Sequence, residues 1–395
     1  MIFEFWAMGY QKFRADKLFD GDHFLEDDRV LVTDEEGVIR DIVVSAEAGD
    51  GIQQFSGILS PGFINCHGHL ELSHMKGLIP PGGGLVKFVL DVVQQWHFPQ
   101  EEILQAIEQA EDEMLAHGIV AAGDICNNLF TISQKKKGRI WYHNFIEASG
   151  FDPKIASERF DRSVGFFREY AKNYAIPVES NSIIPHAPYS VADELWDLII
   201  HFPGNHLFTI HNQETAAENE WFMNKRGEFT DLYEKMNIDI SSCTPSGKSS
   251  LQTYLTKFLK NQSLILVHNV HTKEDDILYS KLPIVNCQLS WCLCPNANQY
   301  ITKQLPDIEL LLKHDCKIVL GTDSLASNNQ LSIIEEIKTI HRHFPHIEMT
   351  EMLKWATSNG AKALQMDGLL GSFEKGKRPG VILIEPGFNA VKRLT

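Results

Sequence analysis

The pattern of hydrophobic and polar positions changes near residue 56. Before that point, short runs rich in β-branched residues alternate with turns, as in residues 30–33, a turn at Glu36-Gly37, and residues 38–44. Two such runs around a glycine-containing turn predict an antiparallel hairpin. Residues 9–60 therefore predict a small β unit.

Beyond residue 56, buried-strand patterns alternate with amphipathic helical patterns. The helical pattern is clearest at residues 102–117, and residues 328–344 and 349–364 show the same spacing. Eight strand candidates lie between such helical stretches, at residues 62–67, 118–124, 139–146, 182–186, 207–211, 264–268, 284–289 and 317–322. Eight β-then-α units in succession predict a closed parallel barrel instead of an open sheet.

The predicted fold class is α/β: a (β/α)8 TIM barrel with a small β-sandwich domain formed by both chain termini. The tail returns to a β pattern at residues 380–384, which we expect to pair with the amino-terminal β unit. The expected boundaries are residues 1–56 for the amino-terminal part of the sandwich, 57–365 for the barrel and 366–395 for the carboxy-terminal part.

The net charge of the chain limits the classes of binding partner. The chain has 36 Lys and Arg against 52 Asp and Glu, a formal net charge of -16, so its field repels phosphate backbones and anionic lipid. We therefore expect a small-molecule substrate, no nucleic acid and no membrane. The one basic run, Lys135-Lys136-Lys137, predicts a solvated loop.

Cysteine usage and the first residues predict a cytoplasmic protein. The seven cysteines are an odd number and widely spaced, which favours a reducing compartment. The apolar start, residues 1–7, lacks a positive lead, and no uninterrupted apolar stretch approaches the roughly 18 residues of a membrane span.

The barrel predicts that functional side chains lie at the carboxyl ends of its strands. Five predicted strand ends hold histidine or aspartate: His67 and His69 together, then His186, His211, His268 and Asp323. A structural histidine at one such place would be ordinary, but five together favour a functional site.

His67 and His69 are two residues apart on an extended segment, so both imidazoles point to the same side and can bind one cation. With His211 and Asp323 the set has three imidazoles and one carboxylate, which suits a catalytic Zn²⁺ that keeps a position for water. Fe²⁺ and Mn²⁺ share these ligands. A divalent ion lets water ionise near neutral pH and become a nucleophile.

Proton transfer needs a further group. Glu214, three residues beyond His211, is predicted to move a proton from the attacking water to a leaving nitrogen; the alternative is a carboxylate at a helix start. His268 could orient or deprotonate the water, or polarise the substrate. For His271, three residues further on, we predict a structural role in the loop. Gly82-Gly83-Gly84 predicts either a lid over the barrel mouth or a plain turn.

Together these motifs resemble the amidohydrolase superfamily, and within it the mononuclear deaminase and chlorohydrolase branch. The branch includes adenosylhomocysteine/methylthioadenosine deaminases, guanine deaminases, triazine hydrolases and aminodeoxyfutalosine deaminases. The resemblance covers about residues 15–384 and rests on residues 61–69, His211 with Glu214-Thr215, residues 267–271, 294–298 and 320–328, with softer similarity at residues 70–77 and 355–364.

The resemblance implies roles residue by residue. His67, His69, His211 and Asp323 would bind the metal, Glu214 would be the proton shuttle, His268 would assist the water, and Asp323 would double as a base. His186 would contact the substrate ring, and we expect Glu71 and Asn298 to bind substrate as well. Residues 181–188 contain no lysine of the kind that bridges two metals in binuclear members, so one ion is expected. The family also implies a homodimer.

The sequence therefore predicts a metal-dependent hydrolytic deaminase, an aminohydrolase in which a metal-activated water displaces ammonia from an amino-substituted aromatic heterocycle. The preferred substrate is an adenine-type base or nucleoside, with 6-aminodeoxyfutalosine as the leading named candidate. The alternatives are a guanine or pterin deaminase, a triazine-type chlorohydrolase of the same branch and, more remotely, a non-catalytic barrel scaffold.

Overall fold

A computed structural model describes residues 9–173, 180–241 and 243–395. The apolar start at residues 1–7 lies outside the described residues. The strands are β1 (Gln11–Arg14), β2 (Lys17–Leu18), β3 (Arg29–Thr33), β4 (Ile39–Val44), β5 (Ile52–Gln54), β6 (Ile58–Pro61), β7 (Phe63–Gly68), β8 (Ile119–Cys126), β9 (Trp141–Ala148), β10 (Asn181–Pro185), β11 (Leu207–Asn212), β12 (Ser263–His268), β13 (Gln288–Leu293), β14 (Ile318–Leu320), β15 (Val381–Ile384) and β16 (Val391–Arg393).

The α-helices are α1 (Ser45–Ala48), α2 (Leu85–Gln95), α3 (Gln100–Ala116), α4 (Ile132–Lys135), α5 (Ala156–Asn173), α6 (Asp193–Ile200), α7 (Ala216–Asn224), α8 (Glu228–Lys235), α9 (Ser250–Tyr254), α10 (Glu274–Ser280), α11 (Pro295–Ile301), α12 (Ile308–Lys313), α13 (Ile333–His343), α14 (Met349–Ala356) and α15 (Ser358–Ala363). None of these helices is both long enough and apolar enough to cross a membrane.

Eight of the described strands form the barrel, in two parallel four-stranded sheets ordered β10-β9-β8-β7 and β11-β12-β13-β14. The His211 N–H donates to the carbonyl of His186 over 3.1 Å, which links the ends of β10 and β11. On the other side, a parallel bridge joins Gly68 to Asp323 beyond β14. The predicted (β/α)8 barrel is confirmed, and the strand ends meet on one face.

The last strand approaches the first very closely. A Cβ placed on Gly321 would lie 2.9 Å from the Cβ of His67 and 2.9 Å from the Sγ of Cys292, so a larger residue would push β14 away. The absence of a side chain at this position therefore lets Asp323 reach His67.

Both ends of the described chain contribute to a second pair of sheets, ordered β4-β3-β1-β5 and β16-β15-β6-β2. The hairpin of β3 and β4 is antiparallel, as predicted, and β15 pairs antiparallel with β6. Phe13, Leu31, Leu59 and Leu383 are buried in one apolar cluster between them. The domain boundaries after residues 56 and 365 stay predictions.

Three local predictions were wrong. The seventh barrel strand is Gln288–Leu293, not 284–289, because the chain turns at Val285, whose N–H donates to the carbonyl of Leu282, and Ile284 stays exposed. The helix expected at 328–344 begins at Ile333, after an extended Ser332. The helix expected at 349–364 is two helices, separated by a non-helical Thr357 with φ -129° and ψ -93°.

The basic run is not wholly a solvated loop, since Lys135 is fully buried while Lys136 and Lys137 are exposed. The Lys135 Nζ lies 2.5 Å from the Oδ2 of Asp124 and donates to the Oδ1 of Asn144 over 2.7 Å. Burial alone would lower the pKa of Lys135, but the carboxylate of Asp124 raises it above its ordinary value. Paired in this way, a lysine can be buried with its charge.

We predict that Lys135→Met lowers the free energy of unfolding by about 3–5 kcal/mol, because it leaves Asp124 buried without its cation. Urea unfolding followed by circular dichroism measures the change. The exposed neighbour is the matched control: Lys136→Met should change the free energy by no more than about 0.5 kcal/mol. Equal values for the two variants would show that the buried pair contributes nothing to stability.

Candidate metal centre

Three buried histidines meet at the carboxyl ends of the first and fifth barrel strands. Their candidate ligand atoms, one each from His67, His69 and His211, all lie within 4.8 Å of one another. The Nε2 atoms of His67 and His69 are 3.1 Å apart. The two histidines predicted to share a cation therefore do face the same point.

Asp323 completes the group from the end of the eighth strand. Its Oδ1 lies 3.3 Å from the Nε2 of His69 and 3.6 Å from the Nε2 of His67. The residue has a left-handed backbone, φ 58°, which is held because its N–H donates to the carbonyl of His67 over 3.0 Å. Its Oδ2 accepts a hydrogen bond of 2.5 Å from the hydroxyl of Ser327.

The protonation states fit a cation. Burial lowers the pKa of His69 to about 3, an effect that the adjacent His67 increases, and burial likewise lowers the pKa of His211 well below its ordinary value. Burial alone would raise the pKa of the Asp323 carboxyl, but the hydrogen bond with His67 and the potential of His69 keep it well below its ordinary range. Neutral imidazoles and a carboxylate are the ligand forms that a divalent ion requires.

A hydrogen bond to the backbone fixes the orientation of the His211 ring. The Nδ1 of His211 lies 2.8 Å from the backbone carbonyl of His186, so Nδ1 carries a proton and the Nε2 lone pair is left for a metal. The Nδ1 of His67 is buried with no hydrogen-bond partner among the described residues. A buried donor set of three nitrogens and one oxygen fits a bound divalent ion.

Glu214 and His268 lie beside the cluster. The Glu214 Oε2 is 3.6 Å from the His268 Nε2, and its Oε1 is buried without a hydrogen-bond partner in the described part of the chain. Burial raises the pKa of Glu214 well above its ordinary value, and the nearby Asp323 and Glu218 carboxyls add to this effect. These surroundings therefore favour the protonated form of the Glu214 carboxyl.

The three residues predicted to bind substrate have different surroundings. The ring of His186 is 4.8 Å from that of His211, and its Nδ1 lies 2.9 Å from the hydroxyl of Ser190. Glu71 lies on the short 3₁₀ turn after His69 and accepts the N–H of Asn127 over 2.9 Å. Asn298 uses its Nδ2 to donate to the Nδ1 of His268, 3.0 Å away. Their contact with substrate stays a prediction.

Sequence reasoning missed Asp124, which ends the second predicted strand. Its Oδ1 accepts the N–H of Leu70 over 2.7 Å, and so it holds the chain directly after His69, while its Oδ2 pairs with Lys135. The signal was present, because a carboxylate at a barrel strand end is a candidate for function. Its partner, Lys135, could not be identified from the sequence, because it belongs to a run of three lysines that predicts exposure to solvent.

The glycine loop, Gly82-Gly83-Gly84, is hydrogen-bonded to α11. The N–H groups of Gly82 and Gly84 donate to the carbonyls of Tyr300 and Ile301 in α11 over 2.7 and 3.0 Å. Both glycines have φ of +79°, which favours a residue without a Cβ. The lid and the plain turn stay alternative predictions for this segment.

A model of the "Amidohydrolase family" matches residues 58–393, which is most of the chain. The chain belongs to the amidohydrolase family. It is therefore a hydrolase acting on carbon–nitrogen bonds, and the fold and the buried histidine cluster described above agree with a metal cofactor.

Among its relatives, the adenosine deaminase of Helicobacter pylori is 26% identical over 337 residues, covering 84% of this chain and 79% of that protein. The 5-methylthioadenosine/S-adenosylhomocysteine deaminase of Teredinibacter turnerae is 26% identical over 344 residues, covering 83% and 72%. The crystal structure of Helicobacter pylori aminofutalosine deaminase with methylthio-coformycin aligns at a TM-score of 0.80 and 24% identity, covering 95% of this chain and 92% of that one. This last likeness shows that the fold is shared.

We predict that the purified chain binds one divalent ion and that Asp323→Asn or His69→Ala lowers the bound metal, because each removes a donor from the cluster. Inductively coupled plasma mass spectrometry after dialysis measures the stoichiometry. His271→Ala is the control: His271 contacts the site loop through its backbone N–H, which donates to the carbonyl of Gln213, and alanine retains that group. Full metal content in Asp323→Asn would remove this residue from the ligand set.

Proposed function

We propose that this amidohydrolase is a metal-dependent deaminase of an adenine-type base or nucleoside. The main support is the arrangement of Glu214 and His268, which lie 3.6 Å apart and buried beside the group formed by His67, His69, His211 and Asp323. Hydrolytic deamination needs a water nucleophile and a nearby group that exchanges protons with nitrogen, and these residues can provide both.

The ion would be held by His67, His69, His211 and Asp323. We propose Zn²⁺, because it binds imidazole nitrogen and carboxylate oxygen and can take water as a fifth ligand. When bound, such an ion lowers the pKa of water enough to form a nucleophile near neutral pH. Asp323 would double as a base, and the Ser327 hydroxyl holds its carboxylate in place by donating to Oδ2.

Glu214 would move the proton. Its carboxyl, protonated at rest, donates to a ring nitrogen of the heterocycle while the oxygen of water bonds to the amino-bearing carbon. Glu214 then takes one proton from the attacking water and passes it to the exocyclic amine, the carbon–nitrogen bond breaks, and ammonia leaves. The second proton of the water leaves the new hydroxyl for Asp323 and passes to Glu214, which leaves a carbonyl on the ring and restores the protonated carboxyl. The Oε1 of Glu214, which is buried and has no hydrogen-bond partner among the residues that the structure describes, is free to exchange these protons.

His268 would act as a hydrogen-bond donor. Because the Asn298 Nδ2 donates to its Nδ1, the Nδ1 holds the lone pair and the Nε2 carries the proton. Burial lowers the pKa of His268 to about 4, although Asp323 acts in the opposite direction, so the ring is neutral near pH 7. A neutral donor at Nε2 can orient the water or polarise the substrate; of the roles that the sequence left open, this tautomer disfavours that of a base.

The names of the relatives favour an adenine-type ring. Those proteins are called adenosine deaminase and 5-methylthioadenosine/S-adenosylhomocysteine deaminase, and the aligned crystal structure is of an aminofutalosine deaminase. We retain 6-aminodeoxyfutalosine as the leading named candidate. Homodimer formation and a cytoplasmic location stay predictions.

The wild-type enzyme is expected to release ammonia from at least one of adenosine, 5-methylthioadenosine, S-adenosylhomocysteine and 6-aminodeoxyfutalosine. A coupled glutamate dehydrogenase assay measures ammonia, and loss of absorbance near the adenine maximum checks the ring product. Guanine, a pterin and a chlorotriazine form the comparison panel. Release from guanine alone would replace the adenine assignment, whereas no product from any compound would count against a hydrolase of this class.

On the preferred substrate, Glu214→Gln should lower kcat by about 10²–10⁴-fold, because the amide cannot exchange a proton with the ring nitrogen. Metal content should be unchanged, since Glu214 is outside the proposed ligand set. The carboxamide has nearly the same size as the carboxyl, so the variant tests proton transfer and not packing. Wild-type kcat in a fully loaded Glu214→Gln enzyme would reject the assigned proton route.

A further inference from the structure

A second glutamate lies directly behind the proposed proton shuttle. Glu218 is fully buried in the first turn of α7, and its carboxylate accepts two backbone hydrogen bonds. The Gln213 N–H donates to its Oε1 over 3.0 Å, and the Glu214 N–H donates to its Oε2 over 3.2 Å. One carboxylate therefore holds the two peptide groups that lead into the shuttle residue.

This arrangement differs from an ordinary helix start. Thr215 is the N-cap of α7, and Thr215-Ala216-Ala217-Glu218 has the spacing of a capping box, in which the glutamate would bond the N–H of the cap residue itself. Here Glu218 instead accepts the N–H groups of Gln213 and Glu214, the two residues before the cap, and Thr215 makes no side-chain capping bond. The carboxylate is thus used to shape the turn between β11 and α7.

The turn that it shapes is strained. Gln213 has a left-handed backbone, φ 46°, at the point where the chain leaves the barrel strand. Its carbonyl accepts the N–H of His271 over 2.8 Å, and its side-chain Nε2 donates to the Oδ2 of Asp276 over 2.9 Å. Such a conformation persists only where surrounding contacts determine it, and Glu218 holds the side of the turn that faces Glu214.

We propose that Glu218 is a positioning residue, whose two backbone hydrogen bonds hold the Glu214 carboxyl at its place beside His268. The inference rests on the proposed function, because it assigns Glu218 to the proton transfer that Glu214 performs. Glu218 contacts no member of the proposed metal-ligand set through the hydrogen bonds described, so its effect passes through the turn.

Glu218→Gln tests this assignment with little change in volume. The two N–H donors go to separate oxygens, and glutamine replaces one oxygen with an NH₂ that faces a donor. We expect kcat to fall about 10²-fold, as for a displacement of about 1 Å, with KM and bound metal close to wild type. Glu218→Asp keeps both acceptor oxygens on a shorter side chain and should retain more activity than the glutamine variant.

A double-mutant cycle separates positioning of Glu214 from other effects. If Glu218 acts through Glu214, the variant with both Glu214→Gln and Glu218→Gln has the kcat of Glu214→Gln alone. Loss of the same factor in the Glu214→Gln background would overturn the assignment, and so would wild-type kcat or a loss of bound metal in Glu218→Gln. A wild-type enzyme that deaminates nothing in the panel would instead reject the proposed function.

Glu111→Gln controls for the general cost of changing a buried carboxylate. Glu111 is fully buried on α3 and bonds Gln134, Arg139 and Tyr142 outside the proposed catalytic group. Its variant can lose stability but should keep the wild-type kcat in the folded fraction. Hydrogen exchange gives a readout apart from activity: Glu218→Gln should expose the amides of Gln213 and Glu214, and unchanged protection there would also overturn the proposal.

Discussion

The backbone carbonyl of His67 accepts hydrogen bonds from the N–H groups of both Thr322 and Asp323, and the candidate site depends on this junction. It joins the first barrel strand to the last, over a separation of more than 250 residues in the chain. Asn65 reinforces it, since its side chain donates to the Thr322 hydroxyl over 2.8 Å and accepts the Thr322 N–H over 3.0 Å. Without closure of the barrel, Asp323 would not lie beside His67 and His69.

Burial shifts the pKa values of both the histidines that would bind the metal and the Glu214 carboxyl that would transfer the proton. Removing imidazoles from water disfavours their charged form, which leaves nitrogen lone pairs for a cation, and the same removal favours the neutral form of the Glu214 carboxyl. The net effect is opposite at Asp323, because the hydrogen bond with His67 and the potentials of His69 and His268 together outweigh desolvation and keep the pKa of this carboxyl well below its ordinary value. One desolvated space therefore shifts the pKa values of two carboxyls in opposite directions, upward at Glu214 and downward at Asp323, because their immediate partners differ.

The sequence was sufficient for the barrel and for the clustering of His67, His69, His211 and Asp323, because strand ends of a parallel barrel meet on one face. It was insufficient where a tertiary partner decides the outcome. Lys135 is buried because Asp124 meets it, and Glu218 bonds the turn before α7 instead of its own helix cap. Neither partner can be identified from hydrophobic periodicity or local spacing.

The two hydrogen bonds from the glycine loop to α11 connect the entrance of the barrel with its interior. Asn298 lies on the same short helix and donates to His268. Displacing the loop would either break both backbone bonds or pull the helix outward, and the second course would release the imidazole from its fixed tautomer. A shift of the loop would thus reach, through the seven residues of α11, the hydrogen bond that sets the tautomer of His268.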